Sequence, residues 1–351
     1  MSMQPKKLLI INILDILRKK TDVEHRLTQA DICKILENEY DMSIDRRSVK
    51  NNLMNLIDWG YPLSYTETPR VNSKGETEWL LTDWYLEREF DDAELRLLID
   101  SLLFSKHIPS KQCKALVKKI EDLSNCYFKG KVKHICNLPE NLPRNPDLFT
   151  TIEVLDEAIS KGKQVEFEYH DYGTDKRLHP RICENGVPRV YRMNPYQMVA
   201  TNARYYLIGN LEPYDDVSHY RVDRIKRIRL LEDSKVKPQR RVKGLQNGLD
   251  LPSHMAEHVY MFNGESGTVT FRAQKQIVGD LLDWFGGDIR FFDETETEVT
   301  ASVHVNYQAM DRWAVQYCRY VKVLSPSFLV EQVKGILSAA LDKYNTDAPG
   351  S

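Results

Sequence analysis

The segment YRMNPYQMVATNARYYLIGNLEPYDDVSHYRVDRIKRIRL, residues 191–230, holds the clearest structural pattern in this chain. Two strand-like runs, Tyr196–Ala200 and Arg204–Gly209, flank the turn-forming pair Thr201-Asn202, so the sequence predicts a β-hairpin. A third segment alternates apolar residues with basic ones, which are Arg221, Arg224, Lys226, Arg227 and Arg229. Basic side chains on strands beside tyrosines suit phosphate groups and stacked bases. This segment therefore predicts a surface that binds an anion or a nucleic acid.

Two motifs in this segment resemble the core of the WYL domain family. Arg204–Gly209, with the sequence RYYLIG, matches the family's Trp-Tyr-Leu strand except that Tyr205 replaces the tryptophan. His219–Ile225 matches the Arg-x-x-Arg-Ile segment that follows it. Upstream, Phe167–Tyr169 and the Arg177-x-x-Pro180 spacing fit the family's opening strands. The resemblance assigns residues 151–233 to a WYL domain.

The resemblance implies an Sm-like small β-barrel that senses a nucleic acid or another polyanionic ligand, such as a single strand or a nucleotide. On matching positions, the candidate ligand-binding residues are Tyr169, Arg177, Tyr205, His219, Arg221 and Arg224. If the basic strand is regular, Arg221 and Arg224 point to opposite faces, and we expect Arg221 to line the pocket. The alternative is a solvated sheet face whose arginines form ion pairs.

Charge and composition limit the classes of function. The 351-residue chain has a formal net charge of -2, which excludes a bulk polycation that coats nucleic acid. Positive charge is concentrated locally, because the segment from Lys176 to Arg229 contains 11 basic residues but only 5 acidic ones. The length allows two or three domains with cores of their own.

Cysteine spacing and hydropathy predict a reduced, cytoplasmic protein without a metal site. The six cysteines, at positions 33, 113, 126, 136, 183 and 318, form no C-x-x-C pair. Zinc sites need closely spaced ligands, so no metal and no cofactor is predicted. No apolar run approaches the ~20 residues of a membrane span, and no membrane partner is expected.

Residues 1–85 predict a winged helix-turn-helix domain, that is, three short helices followed by a β-hairpin. Leu8, Ile11, Leu14 and Leu17 recur at helical spacing. Thr28 and Asp45 are suited to cap the second and third helices. In this fold the third helix enters the major groove of DNA.

The polar face of the third helix supplies the candidate DNA-binding residues. These are Arg46, Arg47, Ser48, Lys50, Asn51, Asn52 and Asn55, together with Lys74 in the hairpin turn. Arginine and lysine contact phosphate or guanine, and asparagine pairs with adenine edges. The segment 45–53 also resembles the recognition helix of regulators with WYL domains, although Asn51-Asn52 replace the family's usual Arg-Asp. The alternative is an ordinary solvated helix face.

The remaining segments complete an α+β, multidomain fold. Residues 86–150 predict a helical connector and a proline-containing linker, and Leu95, Leu98, Ile99, Leu102 and Leu103 form an apolar face for dimerisation or for an internal core. Residues 234–351 predict the element order βαββαβ plus a helix, a ferredoxin-like domain. It resembles the C-terminal extension that often follows WYL domains.

No catalytic motif accompanies these elements: the chain has no G-x-S-x-G, P-loop, G-x-G-x-x-G or H-E-x-x-H. The sequence therefore predicts no enzyme but a transcriptional regulator, expected to be a repressor that binds double-stranded operator DNA as a homodimer. Regulators of this architecture are often linked to phage defence or stress. The alternative function is a nucleic-acid-binding accessory protein that modulates a nuclease, helicase or defence complex. An enzyme acting on nucleotides is a third, weaker alternative.

Overall fold

The computed structural model describes residues 5–71, 75–105, 107–128 and 144–346. The chain divides into two units, residues 1–142 and 143–351. The finer predicted boundaries after residues 85, 150 and 233 stay predictions.

The first unit begins with three amphipathic helices: α1 (Leu9–Lys20), α2 (Gln29–Tyr40) and α3 (Arg46–Trp59). Their apolar faces meet in one core, in which Ile13 and Leu53 are fully buried. For α1 the predicted apolar face is wrong: Leu17 is buried, but Leu8 and Ile11 are exposed, and the core contains Leu9, Ile13 and Ile16 instead. A strict spacing of three drifts around a helix of 3.6 residues per turn, whereas positions three and four apart stay on one face.

Both predicted helix caps are confirmed. The hydroxyl of Thr28 accepts a hydrogen bond from the Asp31 backbone, and the Asp31 carboxylate accepts one from the Thr28 backbone. The Asp45 carboxylate accepts a hydrogen bond from the Ser48 backbone at 2.9 Å. Gly60, with φ 105°, ends α3 in a left-handed conformation that favours glycine.

The helices are followed by an antiparallel pair, β1 (Leu63–Val71) and β2 (Thr77–Leu86), and by α4 (Asp92–Phe104) and α5 (Ser110–Glu121). Lys74, a predicted DNA contact, lies outside the described residues. The elements thus occur in the order that the sequence predicts, while their assignment to the winged helix-turn-helix fold stays a prediction.

A half-buried carboxylate joins three segments of the first unit. Asp22 accepts hydrogen bonds from Arg88 at 2.9 Å and from the Asn125 amide at 2.7 Å, and His25 Nδ1 lies 2.8 Å from it. Burial alone would raise the pKa of Asp22, but the hydrogen bonds lower it to about 2. The end of α1 is thereby fixed to the segments before α4 and after α5.

The second unit opens with α6 (Leu148–Lys161) and six strands. The strands are β3 (Gln164–Tyr172), β4 (Leu178–Pro180), β5 (Val190–Thr201), β6 (Arg204–Leu211), β7 (Val217–Arg221) and β8 (Ile225–Leu231). They form a sheet of order β4-β3-β5-β6-β7, and β8 pairs with β3. All of these pairs are antiparallel.

The predicted hairpin is present as β5 and β6, but its turn lies one residue later than expected. Thr201 pairs with Arg204, and the turn residues are Asn202 and Ala203, with φ 49° and 57°. Two consecutive left-handed residues match the twist of a two-residue hairpin, which places the turn at this pair.

The basic segment is not a single regular strand. β7 pairs with β6 and ends at Arg221, a 3-10 turn covers Val222–Arg224, and β8 pairs with β3. Val222 and Asp223 are buried in this turn. The chain turns because it leaves one partner strand and joins another, so simple alternation does not assign the faces of Arg221 and Arg224.

The rest of the second unit forms a separate four-stranded sheet with helices. Its elements are α7 (Leu251–Glu257), β9 (Ser266–Gln274), α8 (Val278–Phe285), β10 (Arg290–Phe292), β11 (Glu298–Asn306), α9 (Tyr307–Gln316), β12 (Val321–Ser325) and α10 (Ser327–Thr346). The sheet order is β10-β11-β9-β12 around a core that includes Phe271 and Trp313. From β9 onward the element order is the predicted βαββαβ plus a helix, while the ferredoxin-like assignment stays a prediction.

Across the described ranges, no helix combines the length and the apolar character that crossing a membrane requires.

Candidate anion-binding and nucleic-acid interfaces

Four arginines of the second unit, Arg181, Arg204, Arg221 and Arg224, form a group that we call the arginine cluster. Arg181 follows β4, Arg204 begins β6, Arg221 ends β7 and Arg224 ends the 3-10 turn. Arg181 and Arg224 share one carboxylate. Burial, together with the nearby charges of Arg221 and Arg224, lowers the pKa of Arg204.

Arg221 forms a bidentate ion pair with Asp223. Its Nε and Nη2 atoms lie 3.0 and 2.6 Å from the two carboxylate oxygens. The side chains are only 14% and 4% exposed. Burial would lower the pKa of Arg221, but the carboxylate raises it overall. The guanidinium is therefore held in one orientation by a partner from its own turn.

Asp171 is shared by two arginines. Arg181 Nε lies 2.7 Å from one carboxylate oxygen, and Arg224 Nη1 lies 2.9 Å from the other. Burial opposes ionisation of Asp171, yet the two guanidiniums keep its pKa below the usual value. The Arg224 guanidinium also lies over the Tyr172 ring, 5.8 Å from its centroid, and its buried Nε has no hydrogen-bond partner among the described residues.

Arg204 differs from the other three arginines. Among the residues that the structure describes, no carboxylate forms a salt bridge with it, although its side chain is half-buried. Burial and the nearby charge of Arg221 lower its pKa. Four guanidiniums therefore face two carboxylates, and the cluster carries a surplus of positive charge that an anionic ligand can neutralise.

Neither predicted tyrosine, Tyr169 or Tyr205, lies on the face that carries Arg221, whereas Tyr206 does. Tyr206 pairs with Arg221 across β6 and β7 and so shares its face. Tyr205 lies on the other face of β6, because neighbouring strand residues alternate. Tyr169 is buried, and its hydroxyl accepts a hydrogen bond from the Arg221 backbone at 3.2 Å. Tyr206 is thus better placed than Tyr205 to contact a ligand, and Tyr169 supports Arg221 from below.

Two other predicted ligand residues lie elsewhere. Arg177 is exposed in the connection between β3 and β4, and its backbone N–H donates to Asp175. His219 shares the face of Arg221 on β7, but its ring contacts Asn263 and His254. Of the six predicted residues, the structure therefore brings together Arg221, Arg224 and Tyr169.

The remaining basic residues of the segment, Lys226, Arg227 and Arg229, are ion-paired on β8. Their partners are Asp147, Glu168 and Glu166, at 2.8, 2.9 and 2.5 Å. The solvated ion-pair alternative thus describes these three residues.

The start of the second unit is attached to the turn that carries Arg224. Asn145 is 1% exposed, and its side-chain amide donates a hydrogen bond to the carbonyl of Ile225 at 2.7 Å. Its Oδ1 atom accepts one from the Asp147 backbone just before α6.

In the first unit, the exposed face of α3 carries the stripe Arg47, Asn51 and Asn55. These residues are four apart, so they lie in one row along the helix. Ser48 and Asn52 are half-buried, and their side chains form hydrogen bonds within the helix and its cap. Ser48 Oγ donates to Asp45, and the Asn52 amide donates to the Ser48 carbonyl.

Within the described ranges, Arg46, Arg47 and Lys50 form no salt bridge. Arg46 and Arg47 are exposed, and Lys50 is half-buried. A helix face with unpaired cations and amides is chemically suited to phosphates and base edges.

Residues 150–230 match the WYL domain family. This part of the chain is a WYL domain. Members of this family are regulatory rather than catalytic. Among the curated proteins compared, none matches the chain.

Two solved structures resemble the chain at 14% sequence identity. One is Proteasome accessory factor B/C (PafBC) of Arthrobacter aurescens, with a TM-score of 0.29, 95% of this chain covered and 48% of that chain. The other is a CRISPR Cas-related protein, with a TM-score of 0.36 and coverages of 99% and 88%. The chain thus spans about half the length of the PafBC chain.

Sequence reasoning missed two features of the second unit. Arg204 lies inside the recognised RYYLIG motif, but a motif does not show which arginine lacks a carboxylate partner. His254 and His258 lie near His219, and all three offer ring nitrogens within 4.8 Å of one another. The four-residue spacing of His254 and His258 was an available signal, because it places both on one face of a helix.

Proposed function

We propose that the protein is a DNA-binding transcriptional regulator whose WYL domain senses a polyanion, with single-stranded nucleic acid as the best candidate. It acts as a homodimeric repressor in the cytoplasm, and its first unit is a winged helix-turn-helix that binds operator DNA through α3. The WYL domain supports a regulatory role, and the two sites described above supply the chemistry.

The observation that carries the sensing proposal is Arg204, which lies beside Arg221 and Arg224 and forms no salt bridge with any carboxylate that the structure describes. A half-buried guanidinium without a carboxylate is costly unless an anion binds to it. A phosphate between these arginines would accept bidentate hydrogen bonds. Tyr206, on the same face as Arg221, adds a ring against which a base can stack.

The DNA-binding proposal rests on the stripe Arg47, Asn51 and Asn55. One short helix reads only a few base pairs, so specific binding requires two copies on adjacent half-sites. Exposed apolar residues of α4, namely Leu97, Leu98 and Phe104, support a second copy as the partner, because they are 68%, 41% and 70% exposed in the single chain.

A footprint on the DNA immediately upstream of the protein's own gene tests both sites. We expect a protected inverted repeat that is lost when an unlabelled single-stranded oligonucleotide is added. Arg47→Ala should weaken protection. Arg204→Ala should keep the footprint but resist release by the oligonucleotide, since one ligand phosphate loses its contact.

The matched control for Arg204→Ala is Arg229→Ala, which also removes one positive charge. Arg229 is exposed and paired with Glu166, so release by the oligonucleotide should stay as in the parent. If both variants behave alike, net charge rather than the arginine cluster explains the response. Equal affinity for random duplexes would instead favour the accessory-protein function.

A further inference from the structure

Three histidines of the second unit converge between the WYL sheet and the helix that follows it. His219 lies on β7, His254 lies on α7 and His258 lies directly after α7. Their ring centroids are 4.4 to 5.1 Å apart, and His219 Nε2 lies 2.8 Å from His254 Nε2. Nothing in the arginine cluster or in α3 uses these residues.

Hydrogen bonds orient two of the rings so that the same atom of each is available. His219 Nδ1 lies 3.0 Å from Asn263 Oδ1, and His258 Nδ1 lies 3.0 Å from the carbonyl oxygen of Phe262. Both oxygens are acceptors, so each Nδ1 carries the proton and each Nε2 keeps its lone pair. Metal-binding histidines are oriented in this way, because the ring nitrogen that does not bind the metal donates its N–H to a nearby acceptor.

The local environment keeps the imidazoles uncharged. Burial lowers the pKa of His219 to about 3 and that of His254 to about 4, and burial also lowers the pKa of His258. Neutral imidazole is the form that binds a metal.

We propose that His219, His254 and His258 form a binding site for a divalent transition metal of the zinc class. A tetrahedral zinc with Zn–N bonds of about 2.0–2.1 Å holds its ligand nitrogens about 3.3 Å apart. The nitrogens of the three rings lie between 2.8 and 4.8 Å from one another, so small ring movements reach that geometry.

A fourth ligand is within reach. Glu257 Oε1 lies 3.7 Å from His258 Nε2, and both residues line a cavity of about 530 Å³ together with His254. Either this carboxylate or a water from the cavity completes a tetrahedral site. Imidazole and carboxylate ligands suit zinc better than magnesium or calcium, which prefer oxygen alone.

The metal would join two parts of the second unit that are far apart in sequence. His219 belongs to the WYL sheet, whereas His254 and His258 belong to the segment leading to the second sheet. A metal held by all three fixes α7 against β7, because each ligand loses freedom when the ion binds. The bound metal would therefore cross-link the WYL domain to the elements that follow it.

Zinc alone is the probe. The full-length chain is stripped with a chelator, dialysed and titrated with Zn²⁺ in competition with a chromophoric chelator, and its thermal unfolding is followed with and without zinc. We expect one zinc per chain and a rise in the unfolding temperature. Co²⁺ should give the absorption bands of a tetrahedral nitrogen-containing site. His219→Gln and His254→Gln should each lose measurable zinc binding.

His179→Gln is the matched control, because it removes one exposed histidine whose ring hydrogen-bonds to Asp175. It should bind zinc like the parent. Asn263→Ala removes the acceptor that orients His219 and should weaken zinc binding by about 10–100-fold. Since Asn263 is exposed, this variant tests the site even if a histidine variant does not fold. Absence of stoichiometric zinc in the parent overturns the proposal, and so does parental affinity in the folded His254→Gln or Asn263→Ala variant.

Discussion

Replacing Asp223 with asparagine should make the second unit less stable and yet strengthen its binding of anions. Asp223 is the bidentate partner of Arg221, and both side chains are largely buried. Asparagine keeps the shape of the side chain but replaces one acceptor oxygen with an N–H donor that faces the guanidinium. Arg221 would then resemble Arg204, a guanidinium without a carboxylate partner among the described residues.

The two effects have different magnitudes. Breaking a buried ion pair from one side costs about 3–5 kcal/mol in the free energy of unfolding. An anion that takes the place of the lost carboxylate regains a charge-assisted hydrogen bond of about 1.5–3 kcal/mol, which is roughly tenfold or more in affinity. If the ligand is a single strand, one further neutralised phosphate makes the slope of log K against log salt steeper by about 0.7.

Fluorescence anisotropy of a labelled single-stranded oligonucleotide, measured over a series of salt concentrations, gives both the affinity and the slope. Urea denaturation gives the free energy of unfolding. Glu166→Gln is the matched control, because it removes the carboxylate partner of the exposed Arg229 on β8. It should leave oligonucleotide affinity and slope unchanged. A folded Asp223→Asn variant with parental affinity and slope would refute the assignment of the ligand to the arginine cluster.

Three further outcomes are expected. Asn51→Ala should weaken operator binding by about 1–3 kcal/mol and leave random-duplex binding nearly unchanged, as measured by titration of labelled duplexes; equal loss on both would contradict base reading. The pKa of Asp22 is lowered to about 2, so its contribution to stability is complete above about pH 4 and is lost as the pH falls toward 2; in urea denaturation over this range, Asp22→Asn should flatten the acid dependence. Gly209→Ala should destabilise the second unit by about 1–3 kcal/mol in thermal unfolding, because its Cβ would clash with the Asn194 carbonyl oxygen. Gly279→Ala meets nothing within 4 Å and should be near neutral.

Local patterns in the sequence predict the elements well. The caps Thr28 and Asp45, the hairpin of β5 and β6, and the strands and helices of the last sheet follow from spacing and turn chemistry. These features depend on neighbours within about four residues, which the sequence displays directly.

The sites were less accessible to sequence reasoning, because they depend on pairing between distant residues. The 3-10 turn at Val222–Arg224 arises where the chain changes its partner strand, and no local signal marks that change. Whether an arginine is neutralised depends on carboxylates elsewhere, such as Asp171 for Arg224. His219 contacts His254 only because α7 packs against the sheet. Strand alternation and helical spacing do not predict where that helix packs.

The buried amide of Asn145 ties the first residues of the second unit to the segment that carries Arg224. It is anchored to the carbonyl of Ile225, the residue directly after Arg224, and lies at the point where the chain enters the second unit. Under the proposed function, a ligand that draws Arg224 away from Asp171 would therefore also strain or release this hydrogen bond. Under the same proposal, Asn145→Ala should leave ligand binding intact but weaken its effect on DNA release.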